Sequence, residues 1–274
     1  MKIPPDFKTR FHATNWGYPG DLESFCEKAK KEGYEGIEVW APRDAKGQET
    51  LLNIINQYKL DLGVLIGSSE TDVKSHTRSF IAYANEAVKL KPVYINCHSG
   101  RDYFSLEENR PIIEYSYELE AKTSIPVYHE THRGRCLYAA PVTRDYLKAF
   151  KALKLTLDIS HWTNVHESLM EGQEEVLEMA IGRTHHIHSR IGHTEGPQIN
   201  DPRAPEWAHT VQSHLVWWDR VVEARIKEGK KSFTVLTEFG PPPYLPAMPY
   251  TQMPLANQWE INVYMMNLLR SRWQ

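Results

Sequence analysis

Four residues in this sequence have types and positions that suit one chemical task. Glu130 closes the apolar run 125–134, Asp158 the run 155–162, His188 the run 184–190 and Glu238 the run 233–240. Two glutamates, an aspartate and an imidazole, each at the far end of its own short β-like run, suit a divalent cation held by oxygen ligands and one nitrogen. Taken alone, Glu130 would more simply form a salt bridge with Arg133, and Asp158 would cap the next helix beside a surface histidine. The recurrence on four runs shifts the balance towards one shared site.

The spacing inside each run adds detail. Side chains alternate faces along a strand, so Glu130 shares its side with Tyr128 and His132. Asp158 is followed three residues later by His161, which is expected just beyond the strand as a second-metal ligand or substrate contact. In the run 184–190, His186, His188 and Arg190 share a face; His188 is nearer the carboxyl end, and His186, one layer deeper, is its competitor as ligand. If both Glu130 and Glu238 hold the cation from opposite sides, they form an acid–base pair on opposite faces of a substrate. Other polar or aromatic residues end earlier runs and are expected to line the same pocket. They are His12, Trp16, Glu38, suited to substrate hydroxyls, and His98, suited to substrate or a second ion.

The elements that must position these groups alternate regularly. Strand-like runs at 10–16, 36–40, 62–67, 93–98, 127–132, 155–160, 185–190 and 233–239 are each followed by a helix-like stretch. These stretches are 21–32, 48–58, 71–90, 106–122, 143–153, 166–181, 209–228 and 252–272. Asp21 is suited to cap the first helix and Gly33 to stop it. Eight such rounds predict an α/β fold, a (β/α)8 TIM barrel occupying 1–274 as a single domain, with its active site at the carboxyl ends of the strands. Two Pro- and Gly-rich stretches, 192–207 and 240–254, follow strands and are expected over the barrel mouth, with Trp207, Tyr244 and Tyr250 as pocket walls.

Bulk properties exclude several functions. The 274 residues, 41% of them hydrophobic, can bury a large core, and a formal charge of -3 offers no broad basic surface for nucleic acid. There is no apolar segment of membrane-spanning length and no leader-like start, so a cytoplasmic protein is expected. Three cysteines without CxxC spacing argue against a disulfide framework or zinc knuckle. No Gly-x-Ser-x-Gly, Walker A or Gly-x-Gly-x-x-Gly pattern is present, which leaves nucleophilic-serine, nucleotide and nicotinamide chemistry without an anchor.

The motifs Gly-Tyr-Glu-Gly-Ile-Glu at 33–38, His-Glu-Thr-His-Arg-Gly at 129–134, Leu-Asp-Ile-Ser-His at 157–161, His-Ile-His-Ser-Arg at 186–190 and Thr-Glu-Phe-Gly at 237–240 resemble, in order and placement, the xylose isomerase-like barrels. That superfamily contains sugar isomerases, sugar epimerases, inosose dehydratases and endonuclease IV. The resemblance implies Mn, Mg, Co or Zn held by Glu130, Asp158, His188 and Glu238, with His161 beside it. It further implies Glu130 and Glu238 exchanging a proton with carbon through an enediolate-like intermediate, and Arg190 polarising a substrate oxygen. The expected partner is a small carbohydrate, with homo-oligomerisation left open. The third strand ends Leu-Ile-Gly-Ser-Ser without a histidine, and Trp207-Ala208-His209 stands where endonuclease IV has Asp-x-His, departures that weaken a three-zinc site. A dehydratase on the same groups and a non-catalytic carbohydrate-binding barrel are the competing readings.

Overall fold

The computed structural model describes residues 3–274, in which eight parallel strands pair in sequence order and β8 closes on β1. The strands are β1 (Lys8–Thr14), β2 (Gly36–Trp40), β3 (Asp61–Gly67), β4 (Tyr94–His98), β5 (Val127–Glu130), β6 (Leu155–Leu157), β7 (Thr184–His188) and β8 (Ser232–Thr237). Around them run α1 (Leu22–Glu32), α2 (Ala45–Tyr58), α3 (Val73–Ala87), α4 (Leu106–Thr123), α5 (Ala140–Ala149), α6 (Ile159–Val165), α7 (Glu174–Arg183), α8 (Ala208–Lys227) and α9 (Gln258–Trp273). The expected (β/α)8 barrel is the fold. Among the described residues no helix is long and apolar enough to cross a membrane.

Local signals account for the helix limits. Asp21 accepts a hydrogen bond from the Ser24 amide, and Gly33, at φ 93°, ends α1 in a left-handed conformation that costs glycine little. Ser105 and Glu108 form a reciprocal capping box at the start of α4, satisfying two amides that the helix cannot.

Strand alternation divides the residues between two environments. Ile37, Val39, Val64, Ile66, Ile95, Cys97, Ile187 and Val235 are buried in the apolar layer shared with the helices. The alternate positions face the barrel axis. Their register places Gly36 beside His12, Glu38 beside Gly63, Leu65 beside Asn96 and His188 beside Leu236. The glycines here make room: a Cβ on Gly63 would lie 2.5 Å from the Tyr94 hydroxyl, and one on Gly36 would lie 2.6 Å from the His12 ring. Hence His12 and Tyr94 fill the lower interior, His12 Nδ1 lying 3.0 Å from the Tyr94 hydroxyl.

The largest departure from expectation lies after β6. A strand over 155–160 and a helix over 166–181 were expected; instead the strand stops at Leu157, and a seven-residue helix, α6, begins at once. Asp158 causes this, because its Oδ1 accepts from the Ser160 amide at 3.1 Å and the Ser160 hydroxyl at 2.5 Å, capping the helix. His161 therefore lies in the first turn of α6 rather than in a loop.

Candidate metal centre and cavity

The carboxyl ends of β5 to β8 bring Glu130, Asp158, His188 and Glu238 together, with one potential ligand atom from each lying within 4.8 Å of the others. Glu130 ends β5 and His188 ends β7; Asp158 and Glu238 are the residues just past β6 and β8. His188 Nδ1 lies 2.9 Å from Glu238 Oε2 and 3.6 Å from Glu130 Oε1, and although Arg190 Nη2 approaches Glu238 Oε2 to 3.4 Å, none of these three atoms has a hydrogen-bond partner. Buried polar atoms normally find partners, so three that converge without any mark a place shaped for a cation.

Charge leads to the same conclusion. Glu130, Asp158 and Glu238 are buried around one fully buried guanidinium, that of Arg190, and Glu38 is buried against His188. Burial raises the Asp158 pKa, Arg190 opposes this, and Glu238 and Glu130 add repulsion, leaving it at about 6. For Glu130, burial also favours the neutral acid, but His188 and His98 outweigh it and hold the carboxyl well below its usual range. Burial would depress His188, but Glu238, Glu130 and Glu38 reverse that and hold its pKa well above the ordinary value. The cluster is rich in negative charge, and the donor set of three carboxylates and one imidazole fits a divalent ion.

The ligand candidates are also tied to other groups, Asp158 and Glu130 most closely. Asp158 Oδ2 is paired with Arg190, whose Nη2 also donates to His161 Nε2 at 2.8 Å and whose Nε donates to the Ser160 hydroxyl at 3.1 Å. Glu130 Oε2 accepts from Asn96 at 2.8 Å and lies 3.1 Å from His98 Nε2. The salt bridge of Glu130 to Arg133 considered from sequence is not formed; the Arg133 guanidinium instead donates to Asn164.

Beside the cluster opens a cavity of about 410 Å³, lined in part by Trp16, Glu38, Trp40, His98, His132, Arg190, Glu238 and Tyr244. Of the residues named from sequence, Trp16, Glu38, His98, Arg190 and Glu238 line it, and Glu130 is buried out of its wall. His161 is fully buried behind His132, their ring centroids 3.9 Å apart. His186 lies a layer deeper, its Nδ1 3.0 Å from the Thr234 carbonyl and its pKa lowered by burial to about 4.

Other placements correct the sequence reading. His12 is buried low in the barrel against Tyr94 and does not line the cavity. Trp207 is likewise absent from the walls; it stacks near His193 and donates to Asn200, because the 192–207 stretch folds down on itself. Tyr250 is fully exposed. Tyr244 is the loop aromatic that reaches the cavity, held between Arg133 and Arg190 with the cations 5.0 and 4.7 Å from its ring.

Two residues at the cavity were not assigned a role from sequence. His132 lies between His98 and His161, and with His98 and Glu130 it forms a second group of potential ligands. Its position on the inward side of the β5 run was the available signal. Trp40, 52% exposed at the end of β2, had the same signal, being two residues beyond Glu38 on the same face.

Compared by sequence, the chain matches no family model and no curated protein. Compared by structure, it is similar to a probable 3-DHS dehydratase involved in petrobactin synthesis from Bacillus anthracis, with 17% identity and a TM-score of 0.61 over 95% of this chain and 98% of that one. It is also similar to 3-keto-D-glucoside 4-epimerase from E. coli, with 11% identity and a TM-score of 0.62 over 96% and 100% of the two chains. A sugar phosphate isomerase/epimerase from Parabacteroides distasonis gives 12% identity and a TM-score of 0.61 over 96% and 94%. At such identities the likeness is one of fold, the fold that the motif order led us to expect.

Proposed function

We propose that this protein is a metal-dependent isomerase or epimerase of a sugar or sugar derivative. The observation that carries the reading is the convergence of three buried ligand atoms without a hydrogen-bond partner, Glu130 Oε1, His188 Nδ1 and Glu238 Oε2, beside an aromatic-walled cavity. Glu130, Asp158, His188 and Glu238 would hold the ion, Mn, Mg, Co or Zn. When bound, it supplies positive charge next to substrate oxygens, which favours loss of a proton from the neighbouring carbon.

Glu238 borders the cavity and is assigned the proton abstraction. Glu130 is the second member of the pair; its contact with His98 links it to the cavity wall, through which a proton can return to the opposite face of the carbon. Arg190 is positioned to donate to a substrate oxygen while restraining Asp158. Trp16, Trp40 and Tyr244 offer apolar faces to a sugar ring, and His98 offers a polar atom at its edge.

The cationic side chains favour an unphosphorylated polyol. Arg101 donates to the carbonyls of Ser69 and Glu70, Arg135 to that of Ser68 and Arg133 to Asn164, so none of the three is presented as a phosphate clamp. The same engagements count against a track for a nucleic-acid backbone. Loss of water from a keto-polyol is the second reading, favoured by the imidazoles of His98 and His132, which line the cavity side by side where a departing hydroxyl would need a polar partner.

The deciding experiment incubates metal-loaded protein with a panel of sugars and keto-polyols in heavy water. Deuterium incorporated at the carbon beside the carbonyl, with a rearranged or inverted product, is the expected result. Release of water establishes the dehydratase instead, and binding without exchange or turnover establishes a non-catalytic carbohydrate barrel.

A further inference from the structure

The fold leaves Glu38 with a task different from gripping substrate. Its carboxylate is 2% exposed and enters the interior from β2, on the far side of His188 from the candidate ion. Glu38 Oε1 lies 3.3 Å from His188 Nε2, whereas the other ring nitrogen, Nδ1, faces Glu238 and Glu130. The imidazole is thus placed between two carboxylate groups, one on each ring nitrogen.

A neutral imidazole carries one proton, and only the nitrogen without it can bind a metal. Resting on the proposed function in requiring that ion, we propose that Glu38 is a positioning residue that keeps the proton of His188 on Nε2 and presents Nδ1 to the metal. A carboxylate behind a ligating histidine fixes the ring and increases its basicity as a ligand.

The neighbours of Glu38 are consistent with this assignment. Asn96 Nδ2 lies 3.3 Å from Glu38 Oε1, 2.8 Å from Glu130 Oε2 and 3.1 Å from His188 Nε2. An amide nitrogen only donates; in the proposed arrangement its two hydrogens go to the two carboxylates, which leaves the His188 Nε2 proton directed at Glu38 Oε1 across 3.3 Å. The remaining oxygen, Oε2, lies 3.4 Å from His186 Nε2, and His186 is anchored at Nδ1 on Thr234. Gly63, beside Glu38 in the register, has the Tyr94 ring where a Cβ would lie, so any larger residue there would displace that ring beneath Glu38. Glu38, His186 and His188 can also be viewed as a cation site of their own. Asn96 opposes that, because the hydrogen it directs at Glu38 Oε1 would lie beside the ion.

The test measures Co2+ affinity by chelator competition, together with the proton NMR spectrum of the Co2+ protein, for wild type, Glu38→Gln and Glu38→Met. Gln keeps an acceptor without charge, and Met removes both at similar volume. One equivalent should bind in all three, about tenfold weaker in Glu38→Gln and about a hundredfold weaker in Glu38→Met. The slowly exchanging imidazole N–H resonance of wild type should be lost in Glu38→Met. If Glu38→Met fails to fold, Glu38→Gln decides by affinity alone.

Wild-type affinity in both variants overturns the role of Glu38 and leaves the metal site standing. A raised KM with unchanged metal affinity does the same and returns Glu38 to substrate binding. A second equivalent of Co2+ that disappears in His186→Gln also overturns it, by putting an ion where the proton should be. Wild type that binds no Co2+ overturns both this assignment and the proposed function.

Discussion

The two halves of the barrel are built for different work. Strands β5 to β8 end in Glu130, Asp158, His188 and Glu238, and there the interior is a closely linked set of charges. Strands β1 to β4 and the residues just after them contribute Thr14, Trp16, Glu38, Trp40, Leu65 and His98 to the cavity wall. The first half supplies shape and apolar surface, the second supplies charge, and they meet where Glu38, Asn96 and His98 reach across to His188 and Glu130. Separating the two tasks lets pocket shape vary while the charged cluster, whose members restrain one another, stays fixed.

The strongest way to break this comparison is Glu238→Gln. Loss of the base should lower kcat about a thousandfold while sugar binding, measured by calorimetry, changes little. Comparable losses of binding and turnover would show that the charged half also provides the main grip. Glu130→Gln should likewise abolish deuterium exchange while leaving sugar binding nearly intact.

A smaller effect is expected in the shape half. Trp40→Ala removes an exposed aromatic wall and should raise KM about tenfold with kcat nearly unchanged. Gly240→Ala tests the wall indirectly: a Cβ there would lie 2.3 Å from the Trp16 ring, so that ring must shift, and KM should rise several-fold. A fall in kcat alone would mean that Trp16 belongs functionally to the charged half.

The smallest effect concerns the frame that joins β7 to α8. His214 is fully buried, accepts from the Gly192 amide through Nε2, and has a pKa lowered by burial to about 4, partly offset by its bond to the Thr210 carbonyl. Because an unfolded histidine titrates near 6.5, the unfolded chain binds more protons between about pH 6.5 and pH 4. The stability that depends on neutral His214 is therefore complete above pH 6.5 and lost as pH falls towards 4. Urea denaturation should show it, with His214→Gln flattening the slope by up to about one proton. An unchanged slope would sever His214 from the pH dependence.

Much of this arrangement was legible along the chain because strand alternation has a period of two and barrel sites form at strand ends. Glu130, His188 and Glu238 could be placed on one inward surface on that basis, and the eight rounds specified the closure of the sheet. The early end of β6 was not legible from strand pattern. Asp158 can extend a strand or cap a helix, and the nearby Ser160 hydroxyl and amide decided for the cap.

The sequence by itself determined which faces the side chains take and which strands end in acids or imidazoles, since alternation is a local property of the backbone. Tertiary structure decided depth and partner. It sank His12 beneath the cavity, turned Trp207 away, brought His132 and Trp40 to the wall, and directed the two nitrogens of His188 towards different carboxylates. Those outcomes depend on strand stagger, loop path and ring orientation, which are set by contacts between residues far apart in the chain.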